Sequence, residues 1–283
     1  MDELHVLGEL PALLREIPDP PREMYARGKI PGPEYMLLTV VGSRACTDYG
    51  RRAVRHLIDG LRGQPIAIVS GLAYGIDAEA HRAALDAGLP CIALPGSGLD
   101  WNVLYPRANV NLAKEILENG GCLLSEFKPD QRAADYTFPK RDRLMAGIAK
   151  ATLIVEAREK SGTLITARMA VEYNRELLAV PGSIFSAESA GVHQFLKLGA
   201  TPVTQPGDLL RALGLSESIP LAAMMREDLS EEEIRVLRAL ATPLSRDDLL
   251  GAIGMTAAEA NTLLSLMEIK GLVVEEYGLI RAR

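Results

Sequence analysis

Short apolar runs rich in β-branched residues alternate with amphipathic helical segments along most of this chain. Continuous apolar runs are typical of strands buried on both faces of a parallel sheet, and the helices that cover such a sheet repeat every 3.6 residues. Repeated strand–helix units therefore predict an α/β fold with a doubly wound, Rossmann-like, mainly parallel sheet of six or more strands. The predicted strands are Met36–Val41, Ile66–Val69, Cys91–Leu94, Cys122–Leu124, Leu153–Val155 and Leu177–Val180.

The two ends of this alternating pattern predict the domain organisation. The proline-rich stretch Ile17–Pro33 precedes the pattern and indicates an extended lead-in, because proline blocks regular helix. Three helical segments follow the pattern, with capping residues at Ser230 and Thr256, and a hairpin signal after them completes a winged helix. The predicted regions are an N-terminal extension over 1–35, a Rossmann-like domain over 36–214, a linker over 215–228 and a small C-terminal winged-helix domain over 229–283.

The charge balance excludes a chain that is basic over its whole surface. The chain has 31 Lys and Arg against 37 Asp and Glu, and the part from Ser216 onward is the more acidic, with 7 basic and 12 acidic residues. Any anion site must therefore be a local cluster. No apolar run approaches the ~18 residues that span a bilayer. The N-terminus is acidic where a signal peptide is basic, so we expect no membrane contact and a cytoplasmic location.

Glycine with serine or threonine follows the predicted strands repeatedly. Ligands of an open parallel sheet bind beyond the carboxyl ends of its strands, where glycine lets backbone N–H groups approach an anion and hydroxyl groups add donors. Any one such loop is only a strand–helix turn, but several on one edge predict an edge that binds phosphates. The loops are Val40–Arg44, Val69–Asp77, Leu94–Gly98, Glu156–Thr163 and Val180–Ser183.

Basic residues stand at two informative places in the sequence. Arg44 follows Gly-Ser at a strand end, where its guanidinium can fork across phosphate oxygens; the alternative is a surface ion pair with Asp48. The segment Phe138–Arg143 combines three basic residues with an aromatic ring, which are the groups that bind the backbone and the bases of single-stranded nucleic acid. The alternative is a solvated entry to the helix Leu144–Ile148, with Phe138 in the core.

Patterns that indicate an enzyme do not occur in the sequence. The NAD-binding, P-loop, serine-hydrolase and zinc-protease motifs are all missing, and the three cysteines lie far apart without CxxC spacing. The sequence therefore predicts no catalytic residue, no cofactor and no metal site. We interpret Asp77 as the N-terminal cap of a helix, and His81 as a side chain that Asp77 orients, rather than as an acid/base or metal pair.

In this order, the motifs resemble those of the DNA-processing protein A family (DprA, also called Smf). The resemblance extends from about Ile17 to Leu213, and the C-terminal part is similar to the winged helix of that family. The motifs that carry it are Val41–Arg44, Ser70–Asp77 with His81, Gly98–Asp100, Tyr105–Pro106, Leu124–Glu126, Phe138–Arg143, Val155–Glu156, Ser161–Ala167 and Val180–Gly182.

The resemblance implies a cytoplasmic protein of natural transformation that is not an enzyme. Members of that family bind incoming single-stranded DNA, protect it from nucleases and help to load the RecA recombinase, commonly as homodimers. The DNA-binding residues expected from the resemblance and the edge loops together are Gly42, Ser43, Arg44, Ser70, Gly71, Arg107, Phe138, Lys140, Arg141, Arg143, Ser161, Gly162 and Thr163.

The chain departs from the family pattern at two points. Asp142 stands where the family usually has asparagine, which puts an acid among three basic residues. We expect this acid to weaken an anion contact, unless it orients one of the neighbouring arginines. The helical domain that precedes the lead-in in many members is also expected to be missing, since only about 16 residues precede Ile17.

Two other classes of function are weighed against this one. Nucleotide phosphoribohydrolases of the lysine-decarboxylase-like group also bind phosphate at such an edge, with a PGGxGTxxE loop. Here Lys160–Thr166 retains Gly-Thr but has no carboxylate three residues after Thr163, and cleavage of an N-glycosidic bond generally requires acid/base help. A transcription factor that binds DNA through the winged helix is disfavoured by the net charge of −5 of that region.

Overall fold

The protein forms two compact units, Met1–Leu213 and Gly214–Arg283, in a computed structural model that describes residues 3–215, 229–240, 244–270, 272–276 and 278–282. The first unit contains the α/β sheet and the second contains the winged helix. Residues 216–228, which make up nearly all of the predicted linker, lie outside the described residues.

Strands and helices alternate in the first unit as the sequence predicts. All six predicted strands are present, with ends within two residues of the predicted ones. The elements are β1 (His5–Val6), α1 (Ala12–Arg15), β2 (Tyr25–Gly28), β3 (Met36–Val41), α2 (Asp48–Asp59), β4 (Ile66–Ser70), α3 (Ile76–Asp86), β5 (Cys91–Ala93), α4 (Val110–Glu118), β6 (Cys122–Ser125), α5 (Thr137–Ile148), β7 (Ala151–Ile154), α6 (Thr163–Glu172), β8 (Glu176–Ala179), α7 (Ala190–Lys197), β9 (Thr201–Pro202) and α8 (Pro206–Leu213), with 3-10 turns at Arg107–Asn109 and Ala187–Ser189.

These strands form one nine-stranded, mostly parallel sheet in the order β1-β2-β6-β5-β4-β3-β7-β8-β9. Only the pairings of β1 with β2 and of β2 with β6 are antiparallel. The chain enters the parallel part at β3, winds outward through β4, β5 and β6, and then crosses to β7 on the other side of β3. The carboxyl ends of β3 and β7 therefore flank the topological switch point, where α/β sheets of this kind bind ligands.

Burial along the central strands explains their uninterrupted apolar sequences. Every residue of β4, β5, β6 and β7 is buried, so these strands show no alternation of apolar and polar residues. The helices pack in pairs, α2 with α3 and α5 with α6. Helix α2 begins where Thr47 accepts a hydrogen bond from the Gly50 N–H at 3.2 Å, which satisfies one of the free donors of its first turn.

The N-terminal extension contributes to the core of the first unit. Leu14, Ile17, Met24 and Ala26 are buried in one cluster with residues of α5 and α6. The extended lead-in that the prolines predict is present as β2, which adds to the sheet beside β6. Helix α1 was not predicted, because a four-residue helix among prolines is too short to show a periodic pattern.

The second unit is a winged helix, as the sequence predicts. Ser230 with Glu233 and Thr256 with Glu259 form the capping boxes that start two of its helices. A strand of two residues, too short to be recognised in the sequence, adds a third member to the predicted hairpin. The elements are α9 (Glu231–Ala239), β10 (Leu244–Ser245), α10 (Arg246–Ile253), α11 (Ala257–Ile269), β11 (Val273–Glu276) and β12 (Leu279–Ala282).

Candidate functional site

A cavity of about 520 Å³ lies at the switch point of the sheet, beyond the carboxyl ends of β3 and β7. Its walls are the loop after β3, the start of α3, the first turns of α5 and the loop between β7 and α6. This is the edge at which the Gly/Ser loops predict an anion site. The predicted site residues that line it are Gly42, Ser43, Arg44, Phe138, Arg141, Ser161, Gly162 and Thr163.

A cation and an aromatic face meet in the wall of this cavity. The guanidinium carbon of the exposed Arg44 lies 4.9 Å from the centroid of the Phe138 ring, and the Tyr105 ring lies 5.8 Å from the same centroid. Gly96 makes room for this arrangement, because a Cβ atom there would come within 2.6 Å of the Phe138 ring. Asp48, the alternative partner for Arg44, forms its ion pair with a different arginine. Arg44 therefore presents its charge to the cavity.

Arg141 forms a buried part of the same wall. Its side chain is 5% exposed, and its Nε donates to the Asp142 carboxylate at 2.8 Å. Its Nη1 donates to the carbonyl oxygens of Gly71, at 2.6 Å, and Leu94, at 2.7 Å. Burial raises the pKa of the Asp142 carboxyl, and the neighbouring Arg141 charge opposes that shift. Asp142 thus contacts Arg141 as an orienting residue does, and the effect of its charge on anion affinity stays a prediction.

Asp77 does not cap its helix, contrary to the sequence interpretation. Gly75 occupies the N-cap position with φ +72°, and a Cβ atom there would come within 2.2 Å of the Ser43 carbonyl oxygen. The Asp77 carboxylate instead accepts the N–H groups of Gly71, at 3.1 Å, and Ala73, at 3.4 Å, in the preceding loop. Burial raises its pKa to about 6. Asp77 therefore holds the loop after β4 in place at the edge of the cavity.

The first turn of α6 supplies the opposite wall. The Thr163 hydroxyl donates to the Gly42 carbonyl at 3.1 Å and so connects the loops after β3 and β7. The Thr163 N–H donates to Ser161 Oγ at 3.2 Å. Gly162 stands at the N-cap position without a side-chain cap, and a Cβ atom there would meet nothing within 4 Å. The positive end of the helix dipole therefore borders the cavity.

Several predicted site residues lie elsewhere. Ser70 is fully buried, and its hydroxyl donates to the Val40 carbonyl at 2.6 Å. Arg143 forms ion pairs with Glu126 and, at 3.4 Å, with Asp19. The sequence predicts that the basic segment leads into a helix that starts at Leu144, but in the structure the segment is itself the first part of α5. The helix therefore sets the direction of the Arg143 side chain. Residues i and i+2 of an α-helix point about 200° apart, so the side chains of Arg141 and Arg143 diverge.

Gly71, Arg107 and Lys140 flank the cavity. Gly71 lines a smaller cleft that shares Arg44, Phe138 and Arg141 with the cavity. Arg107 is exposed and donates from Nη1 to the carbonyl oxygen of Trp101. Lys140 is also exposed, and its ammonium lies 5.9 Å from the centroid of the Tyr136 ring. Both cations are accessible to an anion beside the cavity.

One cation of the cavity wall was missed from the sequence. Arg158 lies in the loop after β7, lines the cavity and forms an ion pair with the buried Glu188. The sequence signal for Arg158 is its position as a basic residue within the predicted phosphate loop Glu156–Thr163. The predicted loop Val180–Ser183 lines neither the cavity nor the smaller cleft.

The remaining titratable groups show no arrangement for metal binding. His81 is fully buried, and burial lowers its pKa to about 3. Asp77 does not orient His81, contrary to the sequence interpretation, because its carboxylate is engaged by the N–H groups of the loop after β4. Burial also raises the pKa of the Cys91 thiol to about 12. No group of three His, Cys, Asp or Glu residues is placed to hold a metal ion in the described part of the chain. None of the described helices is long and apolar enough to cross a membrane.

These features define an α/β protein with a cavity lined by cations at the switch point of its sheet and a second, winged-helix unit. A family model described as DNA recombination-mediator protein A matches residues 5–214, and one described as the DprA winged helix domain matches residues 220–278. The chain therefore belongs to the DNA recombination-mediator protein A family.

Two curated relatives are Protein Smf from Escherichia coli K12 and DNA processing protein DprA from Streptococcus pneumoniae R6. The first is 42% identical over 72% of this chain and 54% of its own length. The second is 41% identical over 70% of this chain and 68% of its own length. The chain thus spans little more than half the length of the E. coli relative.

Two solved structures share both fold and sequence with the chain. DprA from Streptococcus pneumoniae has a TM-score of 0.68 and 37% identity, covering 74% of this chain and 73% of that one. DNA processing protein A from Helicobacter pylori has a TM-score of 0.66 and 28% identity, covering 75% of this chain and 95% of that one. The latter structure is described as giving insight into a unique single-stranded DNA binding mode.

The Arg141–Asp142 pair predicts a difference between two substitutions of Asp142. Asp142→Ala leaves a buried guanidinium without its carboxylate and is expected to lower the free energy of unfolding by about 3–5 kcal/mol. Asp142→Asn keeps an oxygen acceptor for Arg141 Nε and is expected to cost less than about 1.5 kcal/mol. Urea denaturation of both variants measures the difference, and equal losses would contradict the orienting role.

Proposed function

We propose that this protein binds single-stranded DNA in the cavity at the switch point and that it is a binding protein rather than an enzyme. The observation that carries the proposal is the Arg44 guanidinium over the Phe138 ring, in a wall completed by the N-terminus of α6. A guanidinium and the positive end of a helix dipole attract phosphates, and an aromatic ring stacks on a base.

The shape of the site favours a single strand over a duplex. The Phe138 ring is half-buried in the walls of a concave cavity and of the smaller cleft beside it. A base has to leave the stack of a duplex before it can contact such a ring, and leaving the stack costs a few kcal/mol. A base of an unpaired strand contacts the ring without this cost, because it does not have to leave a duplex. The H. pylori relative, whose structure concerns single-stranded DNA binding, supports the same ligand.

Protection of incoming DNA, loading of RecA and homodimer formation during natural transformation are further parts of the proposal. They rest on membership of the family together with exposed apolar side chains outside the cavity. Ile184 is 80% exposed, Phe185 is 93% exposed and Leu198 is 81% exposed. Apolar groups exposed to this degree are available for contacts with a second copy or with another protein.

Hydrolysis of a nucleotide is the alternative function. Thr166 stands where the hydrolases carry their carboxylate, and it is buried. The acid with the most perturbed pKa in the cavity wall is Asp77, but its carboxylate is engaged by the N–H groups of the loop after β4. We therefore expect no release of free base from nucleoside monophosphates; turnover would favour the hydrolase.

The cavity predicts which arginine matters for DNA affinity. Arg44→Ala is expected to lose about 1–3 kcal/mol of binding free energy for a single-stranded oligonucleotide, because it removes a charge-assisted phosphate contact. Arg55→Ala is the matched control, since Arg55 lies on α2, is 51% exposed and pairs with Glu79. Fluorescence anisotropy at two salt concentrations measures both affinities. Binding that does not weaken with salt, or equal losses in the two variants, would contradict the site.

The acid beside Arg141 predicts a variant that binds more tightly. Asp142→Asn removes a negative charge from the cavity wall while keeping the hydrogen bond to Arg141, so the affinity for single-stranded DNA is expected to rise about 2- to 10-fold. The same anisotropy titration measures it, and a fall in affinity would show that the charge itself is needed to orient Arg141.

The winged helix is expected to make a minor contribution to DNA affinity. Two of its basic residues are already neutralised, Lys270 by Glu233 at 2.7 Å and Arg246 by Glu275 at 2.5 Å. The first turn of helix α11 also carries Glu259 and no lysine or arginine, although a recognition helix uses such cations near its N-terminus. A chain truncated after about Ser216 should retain its affinity for single-stranded DNA. A truncated chain that is folded by circular dichroism yet fails to bind would overturn this.

A further inference from the structure

A second cluster of cations and an aromatic ring lies outside the cavity. Trp101, the single tryptophan of the chain, is half-buried in the segment between β5 and the 3-10 turn at Arg107. The Arg27 guanidinium carbon lies 5.2 Å from its ring centroid, and the Lys114 ammonium lies 5.6 Å from it. Arg107 donates to the Trp101 carbonyl oxygen. Two cations from separate parts of the fold thus lie over one ring, and a third is bonded to the backbone of the same residue.

The two cations over the ring differ in how firmly they are held. Arg27, on β2, has a side chain that is 12% exposed, and it donates from Nε to the Leu99 carbonyl at 2.9 Å. It also lies 3.8 Å from Asp100. Lys114, on α4, is exposed. Arg27 is therefore a fixed support for the ring, whereas Lys114 is able to move aside on its flexible stem.

The cluster continues from the cavity through adjoining residues. The Tyr105 ring packs against Phe138 and lines the smaller cleft together with Pro106. Arg107 is the next residue in the chain, and its hydrogen bond leads to Trp101. Aromatic rings and cations thus occur together between Phe138 and Trp101. Proteins that bind single strands without sequence preference use both groups, with bases stacked on the rings and phosphates on the cations.

Packing against the tryptophan explains why Arg27 lies over the ring, but it does not explain the position of Lys114. A partly exposed indole gains little stability from an exposed ammonium, because contacts of this kind are weak in water. Stacking of a nucleobase on an aromatic ring is stronger than an exposed cation–π contact. A base is therefore able to replace the ammonium over the ring, and the displaced Lys114 then lies close enough to pair with a phosphate of the same strand.

We propose that Trp101 is a second stacking platform for the bound single strand. It takes a base of a strand that extends beyond the Phe138 cavity, while Arg107 and Lys114 contact the phosphates on either side of that base. The inference rests on the proposed function, since it concerns the same strand. It adds that only oligonucleotides longer than those that fill the cavity use this platform.

The single tryptophan makes the inference directly measurable. Intrinsic fluorescence, excited selectively at the indole, is recorded with the full-length protein during titration with oligo-dT of about 4 and about 15 nucleotides, and anisotropy of labelled oligonucleotides records binding separately. We expect the long strand to quench the fluorescence through stacking, and the short strand to bind with little quenching.

Variants extend the same test. Trp101→Ala is expected to weaken binding of the long strand about 10-fold and to leave the short strand unchanged, while Trp101→Phe retains most of the affinity. Lys114→Gln, at an exposed position, is expected to reduce the salt dependence for the long strand alone. Arg62→Gln is the control for the loss of an exposed cation, because Arg62 is 58% exposed and lines neither the cavity nor the smaller cleft.

The outcomes separate this inference from the proposed function. Binding of both strands by anisotropy without any change of tryptophan fluorescence, with unchanged affinity of Trp101→Ala and unchanged salt dependence of Lys114→Gln for the long strand, overturns the platform and leaves the cavity site intact. Equal quenching by the short and the long strand overturns the claim that the platform lies beyond the cavity. Absence of binding by either strand contradicts the proposed function itself.

Discussion

The guanidinium of Arg141 bonds to parts of the chain that arrive from different strands. It donates to carbonyl oxygens at the ends of β4 and β5, and to the carboxylate of its own neighbour, Asp142. A buried charge of this kind is strongly unfavourable unless its donors are satisfied, so the two loops and the start of α5 have to adopt one arrangement together. That arrangement sets the position of Phe138, one helical turn earlier, and therefore the face that Arg44 covers.

The helical conformation of α5 explains why its run of basic residues does not form a uniform anion site. Successive residues of a helix point about 100° apart, so the cations of α5 separate according to position. Lys140 points to solvent beside a tyrosine ring, Arg141 is buried in the cavity wall, and Arg143 is neutralised by carboxylates. The charge offered to a ligand comes from residues far apart in sequence, chiefly Arg44 and the N-terminus of α6.

The winged helix has two cations that are neutralised within the unit. Lys270 and Arg246 both form ion pairs with glutamates of neighbouring elements. In the α/β unit, Arg44 and Lys114 lie against aromatic rings, which do not cancel a positive charge as a carboxylate does. The acidic net charge of the chain is therefore compatible with a local anion site, because such a site depends on how the charges are distributed.

The sequence by itself determined the features that depend on neighbours along the chain. Six strands, the mainly parallel sheet, both capping boxes and the edge that carries the cavity follow from local periodicity, from capping residues and from glycine after apolar runs. Only the tertiary structure decided where each charged side chain points. Arg143 meets Glu126 and Asp19, Asp77 turns back to the loop before its helix, and Trp101 meets Arg27 from a distant strand. The direction of a side chain depends on partners brought close by folding, and their separation in sequence leaves no periodic signal.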